Sequence, residues 1–446
     1  MKSVNRNLLL LGFSLIVVML GYGLVIPLMP FYIDKLGASG KQLGLLTATY
    51  SVMQFLFAPF WGAVSDRIGR KPVLMLGILG NGLFLLLFGL ASELWMLFLA
   101  RALAGILASA TSPATMAYIS DSTSRQDRSG AMGKLGAAMG LGVILGPGLG
   151  GWLAGVSLAT PFYVAAGLSL LSLLLIAVLL PESHPAEPRS QKGLKLAAFR
   201  TADLRSALLS PIGVLLFLAF LLSFGMTSFE GIFGLYALNK FDYGPQEVGT
   251  IMVVIGLVSA AVQALLTGPL TKRWGEAVVI RASLLGVSVG FLVMLLARTF
   301  PTVLLTTGLF VFAVALLRPA VTALISKQTT GGQGAAMGLA NSFSSLGRMA
   351  GPVWAGFLFD LNYNLPFVSG AVILLAGFLV SLRWVKQEPS VPAPAQPPER
   401  WAKVSSHDGR RSPDRAPPDV SCSARELVSP GQRKDLSGFP TNSGSP

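Results

Sequence analysis

Residues 7–31, NLLLLGFSLIVVMLGYGLVIPLMPF, form one unbroken apolar run near the start of this 446-residue chain. A lipid hydrocarbon core of about 30 Å is crossed by roughly 20 apolar residues in a helix. Only 12% of the chain is charged, whereas a soluble domain has about 25% charged residues. Membrane β-strands instead alternate apolar and polar residues over about ten positions. The run therefore predicts a membrane-spanning helix.

Further apolar runs follow it, separated by short loops rich in charge, Gly or Pro. They predict an all-α polytopic membrane protein with twelve transmembrane helices. The expected limits are 7–31, 42–64, 72–91, 94–117, 130–154, 160–181, 211–237, 246–269, 277–297, 301–325, 335–359 and 364–385.

Positive charge is distributed unevenly between the loops. If the N-terminus is inside, the outer loops contain only Lys35, Lys41, Lys240 and Arg298, and most other Lys and Arg residues lie in inner loops. Positive charge is retained on the cytoplasmic side, so we expect a multi-pass protein of the cytoplasmic membrane with both termini inside. The net charge of +14 is spread over separate loops and forms no continuous basic groove, which argues against nucleic-acid binding.

An internal repeat divides the chain. GAVSDRIG at 62–69 recurs as GPLTKRWG at 268–275, and PATMAYIS at 113–120 recurs as PAVTALIS at 319–326, both at an offset of 206 residues (268 minus 62). Such repeats predict two pseudo-symmetric six-helix bundles with a cavity between them. The expected parts are a bundle at 1–181, a cytoplasmic loop at 182–210, a bundle at 211–388 and, from its Pro-rich and Ser-rich composition, a disordered cytoplasmic tail at 389–446.

Charges inside the apolar runs predict a polar cavity, because each buried ion is costly unless it is paired or hydrated. They are Arg101, Arg318, Arg348 and one carboxylate, Glu230. Glu230 and Arg101 each lie about seven residues from the outer end of their helix, so they share a depth. Tyr22, Met226, Phe229 and Phe233 are the apolar and aromatic residues expected to line the cavity with Arg101, Glu230 and Arg318.

The loop at 62–71, GAVSDRIGRK, resembles the signature loop of the major facilitator superfamily. LARALAG at 99–105 and GVILGPGLGG at 142–151 are similar to two further motifs of that family, the second being typical of proton-coupled antiporters. Glu230 and the sequence LRPA at 317–320 are most similar to multidrug pumps of the NorA and Bmr type, with tetracycline exporters next.

The resemblance implies roles for two groups of residues. An inner-face latch would stabilise the outward-facing state, with Gly62 and Gly69 permitting tight turns and Asp66 bonding both the next helix's first amides and Arg70. Positive-inside loop charge alone could also explain the basic residues. The latch is expected to comprise Gly62, Asp66, Arg67, Gly69, Arg70, Lys71, Asp121 and Arg128. The antiporter motif, read either as a hinge or as ordinary close packing, comprises Gly142, Gly146, Pro147, Gly150 and Gly151.

These features predict proton-coupled efflux of small amphipathic drugs, with Glu230 exchanging a proton for substrate. Pumps of the NorA type have a second acidic residue at the position of Ala315. Either Glu230 acts alone or with Asp34 near the outer end of the first helix, or the substrate is less cationic than in those pumps. Arg318 and Arg348 could contact an anionic or zwitterionic group or pair with helix carbonyls. The alternative is a proton-linked lipid or metabolite exporter or flippase whose substrate binds Arg318 and Arg348. A non-transporting receptor or scaffold is disfavoured by the repeated halves.

No enzymatic motif is present, and His184 and His407 lie in polar loops. The only cysteine, Cys422, lies outside the apolar runs, so no cysteine-based metal site is available. We therefore expect a transporter that is not an enzyme, has no cofactor or metal, and works as a monomer in the lipid bilayer with protons and a small amphipathic substrate as its partners.

Overall fold

The computed structural model describes residues 2–124, 126–183, 208–210, 212–329 and 333–385. Within these ranges the chain forms helices and no strand. The predicted loop and tail lie almost wholly outside the described residues, so the domain limits remain predictions.

Twelve long helices lie within the described ranges, and their bounds agree with the predicted spans to within a few residues. They are α1 Lys2–Lys35, α2 Gly40–Ile68, α3 Arg70–Gly89, α4 Leu94–Ser122, α5 Arg128–Ala154, α6 Thr160–Leu179, α7 Gly213–Phe241, α8 Pro245–Trp274, α9 Glu276–Met294, α10 Phe300–Gln328, α11 Gln333–Leu361 and α12 Leu365–Trp384. A short 3-10 segment, Ala108–Ala110, interrupts α4.

Eleven of these helices are long and apolar enough to cross a membrane. The helix outside that set is α11, which is 29 residues long but contains Asn341, several serines and Arg348. Its polar content fits a helix that faces an internal cavity and other helices, because polar groups are costly against lipid. The prediction of an all-α polytopic fold with twelve helices is confirmed.

The helices alternate in direction, so the described chain begins and α12 ends on one side of the membrane. We call this side the terminal face and the opposite side the far face. The first six helices and the last six pair in the same way: α1 with α5 and α6, α3 with α4 and α6, and correspondingly α7 with α11 and α12, α9 with α10 and α12.

Side-chain packing confirms that the halves are repeats. Gly80 lies against Leu107 in the first half, and Gly286 lies against Ala313, each 206 residues later, in the second. Glycine also allows close approach of α5 to the α1 backbone at Gly142, and of α11 to the α7 backbone at Gly347.

Two seams join the bundles, and they are equivalent. In the first, Gly40 and Gly44 of α2 pack against Pro352 and Gly356 of α11. The second seam has Pro245 and Gly249 of α8 against Pro147 and Gly151 of α5, and each of these residues is 205 positions from its counterpart. Contacts of glycine with a neighbouring backbone bring the helices close on both sides of the molecule.

One irregularity separates α8 from α2. The segment Val262–Leu266 of α8 is a π-helix, whereas α2 is α-helical throughout. From Gly40 to Gly62 there are 22 residues and from Pro245 to Gly268 there are 23. A π-bulge accommodates one extra residue within a helix, which explains why the repeat offset changes from 205 to 206 along α8.

The seams close only the far half of the interface. Gly148 and Gly256 still contact the opposite bundle, but a methyl group placed on Gly133, Gly136 or Gly140, nearer the terminal face, would meet no other atom within 4 Å. The bundles therefore touch at the far face and part toward the terminal face.

Candidate functional site

A small cavity lies between the bundles, directly on the terminal side of the seams. Pro352 is four residues, about one turn, from Arg348 in the cavity wall. The residues lining it come from α1, α2 and α4 of the first bundle and α7 and α11 of the second. They are Tyr22, Ile26, Met29, Thr47, Tyr50, Ser51, Arg101, Thr227, Glu230, Gly231 and Arg348. The cavity volume of about 20 Å³ holds about one water molecule.

Glu230 is the carboxylate of this cavity. It lies within α7, eleven residues before the far end at Phe241, and its side chain is half-buried. Within the described chain, no hydrogen bond or ion pair to this carboxylate occurs. A carboxylate without a cationic partner at membrane depth depends on water or a ligand for its solvation.

Arg101 reaches the same cavity from α4, so the prediction that it shares a cavity with Glu230 is supported. It is only 2% exposed. Its Nη2 donates to Met29 Sδ at 3.1 Å, and its Cζ lies 5.5 Å from the Tyr50 ring centroid and 5.9 Å from that of Phe88. Cation–π contacts partly replace the lost hydration of the guanidinium, but Nε is buried with no hydrogen-bond partner.

Two further arginines act on the site from the second bundle. Arg348 lines the cavity and donates from Nη2 to Ser345 Oγ at 2.7 Å. Arg318 of α10 is exposed and does not line the cavity, but its charge acts electrostatically on both Glu230 and Arg348.

Among the predicted lining residues, Tyr22 contributes to the cavity, and its ring lies 5.6 Å from that of Tyr50. Phe229 and Phe233 do not. Each is 1% exposed, and Phe229 packs 4.9 Å from both Phe233 and Phe310, between ring centroids. These two rings belong to the interior of the second bundle. Met226 is partly buried and lies beside the core, one turn from Glu230 and outside the cavity lining.

Asp34, predicted to assist Glu230, is exposed near the far end of α1. It lies twelve residues beyond Tyr22, about 18 Å along the helix. The structure therefore does not bring the two carboxylates together in this conformation.

Sequence reasoning missed Tyr50 as a cavity residue, because its neighbours Thr49 and Ser51 are neutral and belong to no recognised motif. Its place four residues before Gln54, whose Nε2 donates to Tyr50 Oη at 3.1 Å, was the available signal. Arg348 was recognised as an intramembrane charge, but its depth alone did not place it beside Glu230.

At the terminal face, Asp66, Arg70 and Asp121 form a charge cluster within the first bundle. Arg70 pairs with Asp66 at 2.5 Å and with Asp121 at 2.9 Å, and it donates to Ser65 Oγ at 3.3 Å. The predicted Asp66–Arg70 bond and the participation of Asp121 are present. All these partners belong to the first bundle.

Two predicted details of this region are wrong. The backbone amides of Arg70 and Lys71, at the start of α3, donate to Glu182 at 3.0 and 3.1 Å and not to Asp66. Glu182, which follows α6, accepts from these amides, and the Asp66 carboxylate is bound to the Arg70 side chain. Gly62 makes no turn, because α2 continues through it to Ile68, whereas Gly69 has φ +102° and does make the turn.

The remaining predicted latch residues surround the cluster. Lys71 Nζ donates to the Ala177 carbonyl at 2.7 Å, and Arg128 Nη2 donates to the Ser120 carbonyl at 2.6 Å. Arg128 thus ties α5 to the end of α4 without bonding an acid. Arg67 is exposed at the end of α2.

The glycine motif of α5 serves two interfaces. Gly142 and Gly146 pack against the α1 backbone, and Gly150 lies against Leu24 of the same helix. On the other side, Pro147 and Gly151 form the seam with α8. Close packing is therefore its observed role, and the far-face seam depends on it. Within the described residues, no group of three His, Cys, Asp or Glu could hold a metal ion.

Comparison with known proteins agrees with this architecture. The family model of the Major Facilitator Superfamily matches residues 11–267 and 215–430. Multidrug resistance protein 2 of Bacillus subtilis is 33% identical over 87% of this chain and 98% of its own length. Multidrug resistance protein 1 of the same organism is 35% identical over 86% and 97%. Quinolone resistance protein NorA of Staphylococcus aureus is 30% identical over 85% and 96%.

Solved structures show the same fold. A bacterial homologue of the human lysosomal transporter Spinster matches with a TM-score of 0.73 and 15% identity, over 88% of this chain and 99% of that one. The human organic anion transporter MFSD10 matches with a TM-score of 0.59 and 24% identity, over 85% and 99%. With twelve helices in two repeated bundles, the recurring loop motif and relatives matched over nearly their whole length, the chain belongs to the Major Facilitator Superfamily of membrane transporters.

Proposed function

We propose that the protein is a proton-driven antiporter that exports small amphipathic, drug-like molecules across the cytoplasmic membrane. The relatives named for multidrug and quinolone resistance, at 30 to 35% identity over most of both chains, support the substrate class. The cavity between the bundles supports the mechanism. On this proposal the protein makes and breaks no covalent bond in its substrate and acts as a monomer.

The observation that carries the proposal is the Glu230 carboxylate, unpaired within the described chain and placed where the two bundles meet. An isolated carboxyl in a poorly hydrated cavity is stabilised either by binding a proton or by a cationic group. Because Glu230 is the one carboxylate among the described lining residues, a proton and a cationic group of the substrate compete for it. Competition of this kind couples the two fluxes, because each swing of the bundles transports one or the other.

The seams provide the alternation. Positive-inside loop charge supports a cytoplasmic terminal face, and on this proposal the conformation is closed to the outside and open to the inside. Substrate enters from the cytoplasm, the bundles close over it at the terminal face, and the α2–α11 and α5–α8 seams separate to release it outside. Proton binding to Glu230 from the outside then allows the return.

The test is substrate uptake into inverted membrane vesicles energised by a proton gradient, with a panel of cationic, zwitterionic and anionic fluorescent amphiphiles. Wild type is expected to accumulate at least one dye and to lose that uptake when an uncoupler is added. Glu230→Gln should reduce the uptake at least about tenfold, which corresponds to about 1.4 kcal/mol or more.

Glu93→Gln is the matched control, since Glu93 is an exposed carboxylate at the far end of α4. It should transport like wild type. Undiminished uptake by Glu230→Gln would exclude the coupling role. Transport of no dye by wild type would contradict drug export itself.

A further inference from the structure

The charge balance of the cavity is unusual for a site that would bind simple cations. Arg101 and Arg348 line it, Arg318 acts on it from α10, and Glu230 is its only carboxylate among the described residues. Ala315 is apolar and Asp34 lies at the far end of α1. With Glu230 ionised, the cavity wall carries two positive charges and one negative charge, and Arg318 stands outside the wall.

Arg101 has unused hydrogen-bonding capacity. The guanidinium remains charged in proteins and has five N–H donors. Arg101 is only 2% exposed. Its Nη2 donates to the weakly accepting sulfur of Met29, and its Nε has no hydrogen-bond partner. A buried charge without a counter-ion is strongly destabilising. A negatively charged group of a ligand beside Arg101 would remove this penalty and be bound favourably.

Arg348 completes the arrangement from the other bundle. It lines the same cavity, and its Nη2 donates a hydrogen bond to the neutral hydroxyl of Ser345. Tyr22 and Tyr50 line the same cavity as both arginines. Two guanidinium groups and two phenols therefore surround one small volume, and planar guanidinium donors bind carboxylates by paired hydrogen bonds.

We propose that Arg101 and Arg348 form a carboxylate subsite and that the exporter takes amphipathic zwitterions, which present a carboxylate to the arginines and a cationic group to Glu230. The inference rests on the transport function proposed above. The cationic group of the zwitterion competes with the proton for Glu230, as antiport requires. A pure anion would instead bind better when Glu230 is protonated, which would oppose antiport. The apolar part of the substrate lies against Ile26 and Met29.

Rhodamine 110 and rhodamine 123 are a matched pair of probes for this subsite. They share one cationic ring system, and the first has a free carboxylate where the second has its methyl ester. Binding to the purified full-length protein is measured by fluorescence polarisation, and transport is measured in energised inverted vesicles. Wild type should bind rhodamine 110 about tenfold or more tightly than rhodamine 123, as expected for a charged hydrogen-bonded contact.

Arg348→Gln and Arg101→Gln should each bring this affinity ratio close to one. Arg298→Gln, the same substitution at an exposed arginine just beyond the far end of α9, should keep the wild-type ratio. Size-exclusion profiles identify any variant that has lost its fold, and Arg348→Lys provides a second variant that keeps the charge and should retain part of the preference.

The outcomes separate this inference from the proposed function. Proton-driven transport of rhodamine 123 with equal or weaker binding of rhodamine 110 would overturn the carboxylate subsite and leave drug export standing. An arginine variant that weakens both dyes equally would also overturn it. Transfer of a fluorescent anionic phospholipid, with neither rhodamine transported, would overturn both and assign the arginines to a lipid head group.

Discussion

The two bundles share their scaffold but not their charges. The seam residues Gly40, Gly44, Pro352 and Gly356 have counterparts in Pro245, Gly249, Pro147 and Gly151, and the pairings of the helices are the same in both halves. Equivalent positions follow from the packing: Gly142 contacts the α1 backbone at Ile16 and Leu20, and Gly347 contacts α7 at Phe220 and Phe224, which sets an offset of 204 between α1 and α7.

At the cavity the halves differ. Glu230 of α7 corresponds to Ile26 of α1, and Arg101 of α4 corresponds to Thr307 of α10. Arg318 corresponds to Ser112. Backbone packing through small residues is needed on both sides of the molecule, whereas a cavity on the pseudo-symmetry axis needs each charged group only once. The helix packing is therefore repeated in both halves, whereas the residues proposed for binding and coupling lie at positions where the two halves differ.

The charge cluster at the terminal face is a third kind of comparison, since its positions recur with every sign reversed. Asp66, Arg70 and Asp121 correspond to Lys272, Glu276 and Lys327 at the offset of 206. The second-half pair, Lys327 with Glu276, forms at 2.5 Å, between the same two helix ends as Arg70 with Asp121. The two halves thus have an ion pair at the same position, but the acidic and basic residues have exchanged places.

The largest expected effect comes from the seam glycines. Gly44→Val places a side chain against the Pro352 carbonyl, and Gly249→Val places one against the Pro147 carbonyl. Overpacking costs about 1–3 kcal/mol per site, so both variants should disfavour the closed far face and reduce proton-driven uptake by about tenfold or more. Vesicle transport normalised to the amount of folded protein measures this.

Gly167→Val and Gly308→Val are the matched controls, because a Cβ atom added at either position meets nothing within 4 Å. Their transport should stay close to that of wild type. If only one of the two seam variants were impaired, the two seams would not be functionally equivalent and the comparison would fail.

The charge clusters should differ in energy. The Arg70 and Asp121 side chains are 10% and 28% exposed, whereas those of Lys327 and Glu276 are 54% and 18% exposed. Breaking the more buried pair with Asp121→Ala should cost about 2–3 kcal/mol, and Lys327→Ala at most about 1 kcal/mol. Thermal unfolding in detergent should therefore show a clearly larger loss for Asp121→Ala.

A charge-reversal series sharpens the same comparison. Arg70→Glu alone leaves three acidic groups together and should be severely destabilising. Combining it with Asp66→Lys and Asp121→Lys reproduces the second-half pattern and should recover much of the thermal stability. No recovery would mean that the two clusters are not interchangeable by sign.

The smallest effect concerns a contact that only one seam has. Asp360 of α11 accepts hydrogen bonds from the amides of Gly40 at 2.7 Å and Lys41 at 2.9 Å, across the bundle interface. The counterpart of Asp360 at the offset of 205 is Gly155, directly after α5. A carboxylate at a helix N-terminus contributes about 0.3–1 kcal/mol at an exposed site.

Asp360→Asn should therefore speed hydrogen exchange of the first amides of α2 severalfold. The first amides of α8 should be unaffected, and mass spectrometry of the two peptides measures both in one sample. Equal acceleration at α8 would indicate that the whole far face is destabilised, and would contradict a local effect of the Asp360 contact.

Much of this architecture could be predicted from the sequence because its causes are local. Apolar runs set the helices, and the repeated motifs aligned the halves. Even α11 was found, although Asn341 and Arg348 reduce its hydropathy. The shared cavity of Arg101 and Glu230 followed from depth along helices of known rise.

Orientation around a helix axis could not be predicted in the same way. Phe229 and Phe233 are close to Glu230 in the sequence, but α7 turns them toward Phe310 in the bundle interior and turns Glu230 toward the other bundle. The part of Glu182 in capping α3 was equally hidden, since it depends on where the end of α6 lies in space.

Substrate-induced proton release tests the role of Glu230 most directly. The dye that wild type transports best is added to purified protein in weakly buffered solution, over a series of pH values, and the released protons are counted per dye bound. The account predicts release approaching one proton per bound dye at the most favourable pH in wild type, and none at any pH in Glu230→Gln that still binds the dye. Equal release from both proteins would show that another group exchanges the proton.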